Sequence, residues 1–211
     1  MKDAYIVVGF LQIILILFMQ WQIYLKKIIL TFAISSIAIA GFLFVSFQTT
    51  QELSLLVLVL LTLFIRAIFI PSYILKKLKL PHKEREVKHT IPTSLSIIIS
   101  ILLVVFSHTI YKTTLFNSID IQAGFIPIAI IIQGMFLIVS RNNAFVQLIG
   151  YMVIENGLFL FGGYMFPDLP FVVEGGILLD LIGVVMVSAI IMKLREESVP
   201  DVIDEFEEFR G

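Results

Sequence analysis

Long uninterrupted apolar runs leave a chain few ways to fold. Residues 4–24, 28–47, 53–75, 93–111, 121–139, 144–165 and 171–192 each form such a run. About 20 apolar residues suffice to cross a bilayer as a helix. In hydrocarbon the backbone finds no water, and a helix satisfies its polar groups within one segment. The sequence therefore predicts an all-α integral membrane protein with seven transmembrane helices. Hydrophobic residues make up 59% of the 211 and charged residues only 15%. That leaves too little polar surface to cover a soluble domain. The first run is too long for a signal-peptide core and is read as a retained helix.

The basic residues predict an orientation. Lys26, Lys27, Lys76, Lys77, Lys79, Lys83, Arg85, Lys88, Arg141, Lys193, Arg195 and Arg210 fall after the first, third, fifth and seventh helices. Lys2 and Lys112 fall on the other side. By the positive-inside rule the N-terminus lies outside and the C-terminus in the cytoplasm. Trp21 and Tyr24 beside Lys26 and Lys27 read as an interfacial anchor. The basic loop 76–92 reads as a positive-inside topology signal, with binding of anionic headgroups or a partner as the alternative.

Several chemistries find no support. There is no cysteine, which excludes disulfides, thiolate catalysis and cysteine-held iron–sulfur clusters in this chain. Of three histidines, His82 and His89 share one polar loop, a poor basis for a haem or metal site. No phosphate loop, nucleophile–base constellation or nucleic-acid surface is present. The net charge of −1 points to no partner.

Attention falls on the charges inside the apolar runs, because such groups are costly there and usually functional. Glu155 lies near the middle of the sixth run, followed by Asn156. It reads as a protonatable relay carboxylate, or as an acid paired with Arg66 for assembly. Asp180 lies mid-way along the seventh run, with Gly176 and Gly183 on its face. Small residues let a neighbouring helix approach closely, so Asp180 is a second relay candidate or a lock between helices. Glu174 is six residues earlier, about 9 Å along the axis. It is either a further relay step or a headgroup-level acid. Arg66 is the one base well inside a run. It modulates an acid or forms an assembly salt bridge. His108 sits near the outer end of the fourth helix as a proton shuttle or a plain interfacial residue. Gln12, Gln133 and Asn156 read as hydrogen-bonding glue between helices. Pro127 predicts a kink in the fifth.

The segment Gly150-Tyr-Met-Val-Ile-Glu-Asn-Gly-Leu-Phe-Leu-Phe-Gly162, followed by Leu169-Pro-Phe-Val-Val-Glu-Gly-Gly-Ile-Leu-Leu-Asp180, resembles component E of hydrogenase-4 and related formate hydrogenlyase complexes. The last third of the chain is also similar to the three-helix K-type small subunit of respiratory complex I and to the C-type subunit of multisubunit cation/proton antiporters. The resemblance implies that Glu155 matches the first of two relay glutamates. The second falls on Glu174 or Asp180.

The resemblance also implies an organisation. Residues 1–112 form a four-helix membrane bundle, 113–192 a three-helix ion-translocation module, and 193–211 an acidic cytoplasmic tail. The chain is expected to be a non-catalytic subunit of a redox-driven complex in the cell (inner) membrane, moving protons or sodium. The alternatives are a subunit of a multisubunit antiporter and a purely structural anchor. No cofactor is expected in this chain, with NiFe and iron–sulfur centres in partner subunits. Expected partners are other membrane subunits, including antiporter-like ones, and the lipid bilayer. Val199, Val202, Ile203, Phe206 and Phe209 on one face of the tail suggest a cytoplasmic partner.

Overall fold

The structure is a computed structural model that describes residues 2–77, 91–115, 123–165, 176, 181–183, 185–186, 188–190 and 192. Among these residues every regular element is helical. Helix α1 spans Lys2–Trp21 and α2 spans Leu25–Thr50. A third rod is continuous through α3 (Leu53–Leu61), a π-helical segment (Thr62–Phe69) and α4 (Ile70–Lys77). Helix α5 (Thr93–Ile110) ends in a π-helical turn, Tyr111–Leu115. Helix α6 spans Phe125–Ser140 and α7 spans Ala144–Met165. Five segments are long and apolar enough to cross a membrane: Lys2–Trp21, Leu25–Thr50, Leu53–Lys76, Thr93–Thr114 and Ala144–Tyr164. The chain is a multi-pass membrane protein by the length and composition of its helices. Helix α6 is apolar and shorter, at 16 residues.

Helix directions follow from paired contacts. The Tyr5 hydroxyl donates to the Ala123 carbonyl (3.1 Å), and at the other end of α1 Gln20 accepts from Ser140. So α1 and α6 run parallel. Ser35 meets Asn156 and Ser46 meets Gly163, so α2 runs parallel to α7. Tyr5 stacks on Tyr164 with ring centroids 4.0 Å apart, which sets α1 antiparallel to α7. The result is two antiparallel hairpins, α1–α2 and α6–α7, packed side by side, with the third rod along α2 and reaching α7 through Arg66. The apolar core takes residues from both hairpins and the rod, among them Ile16, Phe32, Leu43, Leu58, Ile130 and Met152.

Polarity runs inward. On α5, Ser96, Ser100 and Ser107 are buried, whereas Leu95, Ile98, Leu102, Val105 and Phe106 are exposed. That pattern suits a helix with lipid outside and close helix contacts inside. Helices α6 and α7 take the contact furthest. A Cβ placed on Gly134 would lie 2.9 Å from the Gly150 carbonyl oxygen, and one on Gly150 would lie 2.9 Å from that of Gly134. The two backbones touch there, and only glycine permits it.

Local chemistry sets the ends. Asn143 caps α7, its Oδ1 accepting from the Phe145 and Val146 amides at 3.0 and 3.3 Å. Helix α2 continues past residue 47 to Thr50 and stops at Gln51, which takes φ 60° and bonds its amide to Phe47. The kink expected at Pro127 is not needed. Helix α6 begins at Phe125, so Pro127 sits in the first turn, where a missing N–H costs nothing. In the third rod the turn opens just ahead of Pro71. A proline inside a helix lacks the N–H for the preceding turn and crowds its carbonyl, and a wider turn there relieves both.

Candidate functional site

Helix α7 is the most enclosed of the spans, and one stripe of it carries Met152, Glu155, Asn156 and Phe159. These positions, three and four apart, share a face. The π segment of the third rod lies opposite, with Arg66 pointing into the stripe. Arg66 and Glu155 are both buried, at 0% and 1% exposure, and form an ion pair through Arg66 Nη2 and Glu155 Oε2. The same Nη2 donates to the Met152 carbonyl at 3.0 Å, and Nη1 donates to Asn156 Oδ1 at 2.9 Å. The guanidinium carbon lies 5.0 Å from the centre of the Phe159 ring, within cation–π range.

The polar cluster extends across the bundle. Asn156 Nδ2 donates to Ser35 Oγ at 2.9 Å, and Ser35 Oγ donates to Gln12 Oε1. Gln12 Nε2 returns a bond to the Ser35 carbonyl at 2.8 Å. Because Asn156 accepts from Arg66 with its oxygen, its nitrogen must face Ser35. Four rods thus meet at one charged centre. Glu155 Oε1 has no partner among the described residues. A buried carboxylate oxygen left open in this way is where a proton or a water can be received. A π segment at such a place fits the tendency of these turns to occur at functional sites.

The structure brings Arg66 and Glu155 together, the pairing that was one of the two readings of Glu155. It also bears out Gln12 and Asn156 as links between helices. Both polar atoms of Gln133 lack a partner among the described residues, so the glue role is not seen for it. His108 is exposed at the end of α5 and packs perpendicular to the Phe125 ring with centroids 4.9 Å apart, apart from the Arg66 cluster. Glu174, Asp180, the loop residues 78–90 and the tail 193–211 lie outside the described residues.

A second buried cation was not anticipated. Arg141, in the turn between α6 and α7, is 0% exposed and bonds through Nη2 to the Gln20 carbonyl at the end of α1. Its own carbonyl accepts from Gln147 Nε2 at 3.1 Å. Burial pushes its guanidinium down from the usual range, though an arginine keeps its charge at neutral pH. A positive group against the carbonyl end of α1 complements that helix's dipole. In the sequence Arg141 passes for one more cytoplasmic charge, and only Gln20, an amide at the end of an apolar run, hinted otherwise.

Comparison with protein-family models, curated proteins and solved structures finds no match to this chain.

Proposed function

We propose that the chain is a non-catalytic membrane subunit of a redox-driven multisubunit complex, of the hydrogenase-4, formate hydrogenlyase or complex I kind, in the cell (inner) membrane. In this reading it crosses seven times, N-terminus outside and C-terminus cytoplasmic, with the shorter α6 and the segment 171–192 added to the five long helices. Its part in the complex is ion translocation, of protons or sodium, with Glu155 as the exchanging carboxylate and Asp180 or Glu174 passing charge onward. Redox centres belong to partner subunits.

The observation that carries the reading is the Arg66–Glu155 pair, buried half-way along the most enclosed helix. Charges at such depth cost several kcal/mol on insertion, of order 2.5–3.5 each, and they are seldom retained for packing alone. Neutralising Glu155 would release Arg66 from its ion pair, and two discrete states of that pair are what coupling requires.

A structural anchor is the second reading, favoured by the closed network from Gln12 through Ser35 and Asn156 to Arg66. Glu155→Gln separates the two. The glutamine keeps an oxygen for Arg66 but cannot exchange a proton. The measurement uses assembled complex in sealed vesicles, with redox turnover and ion gradient recorded together. Glu155→Asp serves as the titratable control. The expected result is a lost gradient with turnover persisting, or both falling in an intact complex, while Glu155→Asp retains part of the gradient. Turnover and gradient both at wild-type level in Glu155→Gln would establish the anchor reading.

A further inference from the structure

The oxygens around Arg66 form the kind of set that holds a metal cation. Hard cations are bound by carboxylate, amide and backbone carbonyl oxygens. Glu155 Oε2, Asn156 Oδ1 and the Met152 carbonyl converge from one stripe of α7, and all three are turned onto the guanidinium. The Phe159 ring closes another side. Ser35 and Gln12 hold the Asn156 amide so that its oxygen, not its nitrogen, faces the centre. Among the described residues no group of three or more histidine, aspartate or glutamate side chains offers another cation site.

We infer that Arg66 is a tethered cation standing where a sodium ion would otherwise bind, and that it keeps metal cations out of the Glu155 site. The inference deepens the reading of Glu155 as the exchanging group and rests on it. It assigns Arg66 the choice of ion. A sodium ion entering beside Glu155 would meet a full positive charge at contact distance, and Glu155 Oε2, Asn156 Oδ1 and the Met152 carbonyl are already committed to the guanidinium. A proton needs only one lone pair, and Glu155 Oε1 supplies it. Removing the guanidinium leaves carboxylate, amide and carbonyl oxygens facing a gap, with the Asn156 amide still held by Ser35 and Gln12.

The test is thermal unfolding of the purified full chain in detergent, comparing sodium chloride with choline chloride at equal ionic strength. A ligand that binds only the folded state raises the midpoint with its concentration. The wild type is expected to show no sodium-specific shift. Arg66→Ala is expected to gain one of at least about 3 °C, abolished when Glu155→Gln is added. Arg66→Gln, which keeps donors for Asn156, is the second variant, with a smaller gain expected. A sodium-specific shift in the wild type that vanishes in Glu155→Gln would overturn the inference. So would folded Arg66→Ala and Arg66→Gln proteins that gain no shift. Neither result depends on turnover. A sodium-pumping complex that needs Glu155 would refute this inference while sustaining the translocation reading. A complex indifferent to Glu155→Gln would refute the translocation reading.

Discussion

Arg66→Leu is expected to cost about 3–5 kcal/mol of folded-state stability, because it leaves the Glu155 carboxylate buried without its counter-charge. Glu155→Leu should also be destabilising, because Arg66 loses its ion pair with Glu155 Oε2. The double variant is expected to lose less than either single change, by about 2 kcal/mol or more, since a leucine pair removes both charges together. Reversible unfolding in mixed micelles reads all three. The sign of the coupling matters more than its size. If the two losses simply added, the ion pair would not be the organising contact of the bundle, and both the translocation and the anchor reading would lose their common basis. Asn156 sharpens the comparison. Its Oδ1 loses the Arg66 donor in each arginine variant, so that cost is common to Arg66→Leu and the double and cancels between them.

The second large effect is expected at Gly150. Alanine is favoured over glycine inside a helix by about 1 kcal/mol, so propensity alone argues for a gain. Here the new methyl would meet the Gly134 carbonyl oxygen at 2.9 Å and the Ile138 side chain at 2.7 Å. A backbone oxygen cannot step aside as a side-chain tip can, so α6 and α7 must part. Overpacking of this kind typically costs 1–3 kcal/mol and occasionally more. Gly150→Ala should therefore be destabilising, and Gly150→Leu should prevent the hairpin from closing. Gly41 is the control, since a Cβ there has nothing within 4 Å, and Gly41→Ala should be neutral or slightly stabilising. Equal losses at the two positions would show that the close approach is not what holds α6 to α7.

Much of this was legible in the sequence because lipid imposes one rule on every segment. Apolar length alone places helices, and the 144–165 run returns as α7 with the same bounds. Ends were less legible. Helix α2 gains three residues at each end relative to 28–47, since terminal polar residues carry little hydropathy signal yet still bond locally. Glu155 and Arg66 could be named as buried charges, and their pairing as one of two readings of Glu155, but a contact between residues 66 and 155 is long-range and the fold decides it. The spacing of Met152, Glu155, Asn156 and Phe159 on one face could have marked where Arg66 lands. Ser35 gave no sign of its role, because a serine in a membrane helix ordinarily bonds back to its own preceding turn. Arg141 was hidden by position, since a basic residue in a short loop looks like every other topology signal.

The π segment carries a consequence for length. A π turn inside an α-helix behaves as a single residue inserted into an otherwise regular rod. In an ordinary helix a one-residue deletion swings everything beyond it by about 100° and misplaces every downstream face. Within Thr62–Phe69 the same deletion lets the wide turn close to a regular one, and the flanking helices keep their orientation. Leu55 and Leu58 above, and Ile70 and Ile74 below, would still face the core, while Arg66 within the segment would lose its place. The rod and its charge are therefore separable: dropping one codon there would remove the charged centre and retain the bundle.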